Sequence, residues 1–289
     1  MITELARPKV NLSLKVVGRR SDGYHLLDSL VVFPEGGDVL SFEKADDLTL
    51  EVTGEGLSEI GPAEENLVYR VAEFLKTQYT ITTGAHIRLE KNLPVASGIG
   101  GGSADAAATL RGVNRLWGLN LSVSQLEGIG IKFGADIPVC IDSKTRYMRG
   151  IGEELSDPVS LPDFHMLLVN PRKSVSTPEI FKALAYPIGQ EEARPKEVGA
   201  AESLDDLVMS LEALTNDLQA PAVSLIPEIA DVLDFLDQSE TCLFHRMSGS
   251  GATCFGQFDT KNAGQKVLEE VTKAHPDWWA ELMPVTARE

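Results

Sequence analysis

The stretch Pro94-Val95-Ala96-Ser97-Gly98-Ile99-Gly100-Gly101-Gly102-Ser103-Ala104-Asp105-Ala106-Ala107-Ala108 decides how the rest of the chain is read. Four glycines in the five positions from 98 to 102 remove the side chains that would keep a ligand away from the backbone. Beyond them an alanine-rich run with Leu110, Val113 and Trp117 at helical spacing predicts a helix over 103–117, with Ser103 able to cap it. A helix start with unbonded amides and an outward positive dipole end suits phosphate, and such a nest needs no basic surface. Two familiar phosphate loops fail on the letters. A Walker loop closes on Gly-Lys-Ser/Thr, whereas Gly102 is followed by Ser103 and Ala104. The dinucleotide fingerprint begun at Gly98 would need a glycine at Ser103, and begun at Gly100 it would need one at Asp105. The plainer alternative is a tight strand-to-helix turn with no ligand.

A local anion site matters because the chain as a whole repels anions. Its 289 residues carry 43 acidic and 26 basic side chains, a formal charge of −17, which disfavours nonspecific binding to nucleic acid or an anionic membrane. With 43% hydrophobic and 24% charged residues the composition is that of an ordinary globular protein, and the length fits two lobes or one large domain. No apolar run approaches the roughly 18 residues of a membrane span. Met1 to Pro8 lacks the apolar core of a signal peptide, so a cytoplasmic protein is expected. Cys140, Cys242 and Cys254 are far apart and without CxxC spacing, and read as small buried hydrophobes. His86, His165, His245 and His275 show no ligand spacing and read as structural or surface residues.

Outward from the loop, residues 9–17 alternate apolar and polar like a half-buried strand, placing Lys9, Asn11 and Ser13 on one face. Gly18 to Gly23 has turn chemistry, and Tyr24 to Phe33 reads as the returning strand. A strand pair is expected around 39–52, a helix over 66–79 and a strand over 85–89. Polar connections near 156–163 and 184–203 place a new lobe near residue 156, opening with the strand 166–169. A helix around 223–237 and a strand around 252–258 follow. Strand pairs mixed with helices predict an α+β fold rather than a doubly wound sheet.

The glycine loop resembles motif two of the GHMP kinases. Pro8-Lys9-Val10-Asn11-Leu12 and Met247-Ser248-Gly249-Ser250-Gly251-Ala252-Thr253-Cys254-Phe255-Gly256 match their first and third motifs in order. Within that superfamily, Gly18-Arg19-Arg20-Ser21-Asp22-Gly23-Tyr24-His25 is similar to the signature of the 4-diphosphocytidyl-2-C-methyl-D-erythritol kinases of the non-mevalonate isoprenoid pathway. Asn66 to Arg70, Gly134 to Pro138, Gly150 to Glu153 and Val175 to Pro178 agree with the same family, so the match runs from about residue 6 to residue 258. Two departures stand out: Lys144 to Arg149 is more polar than the small-residue strand common there, and Ala6-Arg7-Pro8 puts a proline before the lysine.

The resemblance implies a two-lobed GHMP kinase fold, with residues 1–155 as the ATP-binding lobe, 156–289 as the substrate lobe, and ATP and substrate in the cleft between them. It implies transfer of the γ-phosphoryl of ATP to the 2-hydroxyl of 4-diphosphocytidyl-2-C-methyl-D-erythritol. Asp136 is then the expected base and Lys9 its partner, since an ammonium keeps a nearby carboxylate ionised and favours developing alkoxide charge. Pro94, Val95, Ala96, Ser97, Gly98, Ile99, Gly100, Gly101, Gly102, Ser103 and Ala104 are expected around the ATP phosphates, with Asn66 and Leu67 near the adenine. Asn11 and Thr177 are expected on the substrate, Tyr24 and Phe181 as a sandwich around its cytosine, and His25 as reader of the base edge. Mg²⁺ is expected with the ATP, its protein ligand unassigned. Rivals are another small-molecule GHMP kinase, a silent nucleotide or metabolite sensor, and a dinucleotide-dependent dehydrogenase. The segment Gly18 to His25, the Lys9 and Asp136 pair, and the glycine spacing count against them in turn.

Overall fold

Two-residue periodicity builds the first sheet. In the strand Gly84–Lys91 the residues Ala85, Ile87 and Leu89 face inward, as do Leu40 and Phe42 of Asp38–Ala45. The sheet order is Ile2–Ala6, Asp38–Ala45, Gly84–Lys91, Leu48–Gly54, antiparallel except for the last pair. The two strands expected around 39–52 therefore do not pair with each other, because Gly84–Lys91 lies between them. Helix Gly101–Leu116 packs its buried alanines, Leu110 and Val113 against this sheet and against the helices Leu67–Gln78 and Ile137–Asp142. Helix Val123–Gly130 completes this layer, opened by a reciprocal capping box between Ser122 and Gln125.

The computed structural model describes residues 1–57, 60–174, 176–199 and 201–286, so Val175 of the motif at 175–178 lies outside the described residues. Contacts divide the chain into two compact units. The first is Met1–Pro8, Gly36–Val95 and Gly100–Ser143; the second is Lys9–Glu35, Ala96–Ile99 and Lys144–Glu289. The division falls at residues 143 and 144 and within the glycine loop. Residues 9–35 join the second unit because their strand His25–Val32 pairs with Arg146–Gly150.

In the second unit one sheet runs Val10–Asn11, His25–Val32, Arg146–Gly150, Glu154–Leu155, with Lys15–Arg19 also paired to His25–Val32. The strand predicted over 9–17 is thus interrupted at Leu12–Leu14, where Leu14 leaves the ladder. Its N–H donates to Thr215 O at 2.8 Å, and its carbonyl accepts from Asp217 N at 2.9 Å. Nor is the strand half-buried: Lys9, Asn11 and Ser13 are as enclosed as Val10, Leu12 and Leu14. From the polar segment 144–149, residues 146–149 enter the largely buried strand Arg146–Gly150, in which Val198 N donates to the Tyr147 hydroxyl at 2.6 Å and Arg149 pairs with Asp28 at 2.8 Å.

The other sheet runs Phe244–Met247, Cys254–Phe258, Phe164–Asn170, Trp279–Val285. The helices Gln219–Leu225, Glu228–Asp237 and Lys261–Ala274 bury Ala222, Leu236, Val267 and Val271 in its core. The helix expected around 223–237 is two helices, since Pro227 has no N–H to continue the first and pushes Ile226 out of helical backbone. The segment after residue 259 forms a helix and an edge strand, with Trp279 buried. Cys140 and Cys254 are buried and Cys242 half-buried, all as free thiols.

Candidate active site

The first unit carries both ends of the glycine loop. Gly100, in left-handed backbone at φ 65°, is the N-cap of helix Gly101–Leu116, and no side chain caps that helix. The helix starts two residues earlier than expected, so Ser103 lies inside its first turn instead of capping it. The amides of Gly101, Gly102 and Ser103 have no carbonyl one turn back within the helix, and Ala104 N, bonded to Gly100 O at 2.8 Å, is the first that does. Leu67, the first residue of its helix, approaches within 4.0 Å of where a Gly102 Cβ would stand. The Asn66 side chain is committed to its own helix, accepting from Val68 N at 2.9 Å. Pro94 and Ala104 are buried and Val95 half-buried.

Behind this helix start sits a buried cluster that the sequence reading did not single out. Lys91 Nζ donates to Asp38 Oδ2 and, at 2.8 Å, to Asp105 Oδ2. Asp38 Oδ1 accepts from Asn92 N at 2.6 Å and Leu93 N at 2.8 Å, the two residues before Pro94. The three side chains are 0 to 6% exposed. Burial pulls the Lys91 pKa down, but Asp105 and Asp38 more than offset that and hold it above the usual lysine value. Burial, with the Asp38 charge adding to it and Lys91 opposing it, pushes the Asp105 carboxyl up to about 7. One ammonium cannot compensate two carboxylates, and Asp105, whose Oδ1 has no hydrogen-bond partner, carries the deficit.

Asp136 stands at the N-cap position of the short helix Ile137–Asp142, also in the first unit. Its side chain does not cap that helix. Pro138 fits the first turn, where a missing N–H costs nothing.

The tip of the loop belongs to the second unit. Gly98 needs glycine twice over: its φ is +74°, and a Cβ would lie 2.4 Å from Gly251 O. Thr253 N donates to Ser97 O at 3.1 Å, so the tip is stitched to the segment 248–253. Ala96 is exposed at positive φ, and the buried Ile99 accepts at its carbonyl from Lys9 N at 2.8 Å. Lys9 itself is 5% exposed.

Asn11, 3% exposed, lies in a neutral network. Its backbone N–H donates to Ser248 Oγ at 3.0 Å, and Ser248 Oγ donates to Gly98 O at 3.2 Å. Its Nδ2 donates to Ser29 Oγ at 2.7 Å, and that hydroxyl donates onward to Ser13 O at 2.6 Å. Ser29 spends its proton on Ser13, so the amide of Asn11 must present its nitrogen there and its oxygen elsewhere. Oδ1 is buried without a hydrogen-bond partner.

His25 and Phe181 come together as stacked rings, 4.6 Å between centroids and 22° between planes, with Tyr186 edge-on to His25 at 6.4 Å. Tyr24 instead stands 60% exposed, and among the described residues it makes no ring contact. Burial first, and then the Arg19 charge, lower the His25 pKa below its usual value, and its buried Nε2 has no hydrogen-bond partner. Thr177 opens the helix Thr177–Leu184, and its hydroxyl lies 2.8 Å from Ser250 Oγ. Among the described residues no three or more His, Cys, Asp or Glu side chains gather to hold a metal, and no helix is long and apolar enough to cross a membrane.

Residues 66–144 match the GHMP kinases N terminal domain, and residues 196–277 match the GHMP kinases C terminal domain. Over 282 residues, 97% of each chain, the protein is 45% identical to a 4-diphosphocytidyl-2-C-methyl-D-erythritol kinase of Parvibaculum lavamentivorans. A relative of the same name from Paramagnetospirillum magneticum is 45% identical over 278 residues, 95% of each chain. A crystal structure of 4-(cytidine 5'-diphospho)-2C-methyl-D-erythritol kinase superimposes with a TM-score of 0.76 at 30% identity, covering 98% of this chain and 99% of that one. For the fold alone, homoserine kinase from Cytophaga hutchinsonii is similar too, with a TM-score of 0.70 at 17% identity over 99% of this chain and 94% of that one. Two domain matches in order and near-complete coverage by close relatives give one conclusion: the chain belongs to the GHMP kinases, in the family of the 4-diphosphocytidyl-2-C-methyl-D-erythritol kinases.

Proposed function

We propose that this protein transfers the γ-phosphoryl of ATP to the 2-hydroxyl of 4-diphosphocytidyl-2-C-methyl-D-erythritol, a step in non-mevalonate isoprenoid precursor synthesis. The observation that carries this is the 45% identity over 97% of both chains with a relative of that name. Phosphoryl transfer is mostly positioning and charge stabilisation. Asp136 accepts the proton of the 2-hydroxyl as it attacks, a contribution of about 10² to 10⁴ in rate. Lys9 supplies the positive charge that favours the developing alkoxide. The uncapped start of helix Gly101–Leu116 supports the glycine loop as the phosphate cradle, with Pro94 to Ala104 around the phosphates and Asn66 and Leu67 toward the adenine. Nucleotide binding belongs to the region 1–155 and most substrate contacts to 156–289, with Asn11, Tyr24 and His25 added.

Mg²⁺ would enter with the ATP phosphates and keep several waters. It neutralises phosphate charge when bound. A His25 imidazole with a lowered pKa is neutral near pH 7 and offers one donor and one acceptor, which suits the edge of a cytosine. Phe181 and Tyr24 supply aromatic faces for that base, and Thr177 a hydroxyl near the substrate's phosphate or hydroxyl end. The test is ADP release with MgATP, comparing the diphosphocytidyl substrate with mevalonate, homoserine and galactose, and phosphorus NMR of the product. ADP and a new monoester signal with the cytidyl substrate alone are expected. Turnover with another alcohol in its place would overturn the cytosine pocket.

A further inference from the structure

Arg111 sits on helix Gly101–Leu116, outside every motif that marks the family, yet its guanidinium is used almost to capacity. Nη1 donates to Cys140 O at 3.0 Å and Ile141 O at 3.2 Å, Nη2 donates to Leu5 O at 2.9 Å, and Nε donates to Glu4 Oε2 at 2.8 Å. Those bonds occupy four of the five N–H groups that a guanidinium offers. The carbonyls of Cys140 and Ile141 belong to the last turn of helix Ile137–Asp142, where a helix has unbonded acceptors and the negative end of its dipole. The six-residue helix is too short to hold itself, and its first cap position is Asp136, about 6 to 7 Å up the axis from the carbonyls that Arg111 holds. The other two bonds hold the strand Ile2–Ala6, whose chain runs on through Pro8 to Lys9.

We infer that Arg111 is a positioning residue for the phosphoryl transfer, fixing the helix that presents Asp136 and the strand that leads to Lys9. The inference rests on the assignment of Asp136 and Lys9 to the chemistry. Arg111 touches no reacting atom; it acts by denying its two tethers the freedom to slide, and a misplacement of about 1 Å can cost about 10²-fold in rate. A lysine cannot replace it, because one ammonium cannot serve two adjacent helix carbonyls, a strand carbonyl and a carboxylate in fixed directions.

The experiment compares Arg111→Met, Arg111→Lys, Arg115→Ala and Asp136→Asn in steady-state kinetics, with thermal melting of each. Arg111→Met is expected to lower kcat by about 10 to 10²-fold with both KM values within about twofold. Arg111→Lys is expected to lose less kcat with the same pattern, which keeps the test usable if the methionine variant does not fold. Arg115→Ala, which gives up an exposed ion pair to Glu4 Oε1, is expected to keep kcat. Arg111→Met added to Asp136→Asn should cost clearly less than the product of the two separate losses, because both changes act on Asp136 and only the strand tether is independent of it. If Asp136→Asn abolishes turnover while folded Arg111 variants keep wild-type kcat, or if kcat falls only with both KM values rising together, the inference is overturned and the assignment of Asp136 stands. If Asp136→Asn itself keeps wild-type turnover, the assignment of Asp136 falls and the inference falls with it.

Discussion

The two units each bury polar groups beside their share of the glycine loop, but with opposite chemistry. In the first unit Lys91, Asp38 and Asp105 form a charged cluster at the base of the loop. In the second, Asn11, Ser29, Ser13 and Ser248 form a neutral one at its tip. A buried charge must be compensated or it unfolds its surroundings, whereas a neutral group must merely find a partner of the right direction. The charged cluster therefore holds its segment by energy. The neutral one holds it by the order of donors and acceptors, in which Ser29 dictates which way the Asn11 amide faces.

The largest expected effect breaks the charged side. Lys91→Met leaves Asp38 and Asp105 buried without a cation and should cost about 3–5 kcal/mol in urea unfolding. A loss under about 1 kcal/mol would mean that the cluster is not held by charge. Ser29→Ala is the matching cut on the neutral side. It strands Asn11 Nδ2 and Ser13 O, and should cost about 1–3 kcal/mol in the same measurement. If the two variants lose equal stability, the contrast between the clusters fails.

These clusters also mark what could be read from the letters. Lys91 follows Ala85, Ile87 and Leu89 at period two, so the alternation that predicts the strand also places a lysine on its core face. Asp105 sits in an unbroken run of buried residues from Ala104 to Leu110, where an acid in an alanine helix is the same kind of signal. Both were legible as charges in need of partners, though not who the partners were, since Asp38 is 53 residues from Lys91. The neutral network leaves no such trace. A serine at 29 or 248 is at home in a core or on a surface, and the chain of bonds from Ser13 to Gly98 needs segments more than 200 residues apart. The same contrast explains the fold. Helices and strands with clear periods appear where expected, whereas the pairing of 39–52 and the break at Leu12–Leu14 depend on which distant segment supplies the partner.

Function can separate the two sides where stability does not. Phe181 stacks on His25 in the second unit, and Phe181→Ala should raise the substrate KM and leave the ATP KM within about twofold, since one base stack is worth about 1–3 kcal/mol. An unchanged substrate KM would remove Phe181 from the cytosine pocket.

The smallest effect is the sharpest, because its sign depends on pH. The Asp105 carboxyl is raised from 3.8 to about 7 in the fold, so between those values the folded protein holds a proton that the unfolded chain has released. Stability contributed by this group is then greatest at the acidic end, falls as pH rises through that window, and is level above it. Lys91, held above its ordinary value, loses its contribution only at more alkaline pH and leaves the window untouched. An asparagine side chain does not titrate but keeps an oxygen for Lys91, so Asp105→Asn should move from near parity at about pH 5 to a gain on the order of 1–2 kcal/mol at about pH 8. Urea midpoints for both proteins at the two pH values measure it. A difference that stays constant with pH would mean that Asp105 is ionised throughout, and that one ammonium does suffice for two buried carboxylates.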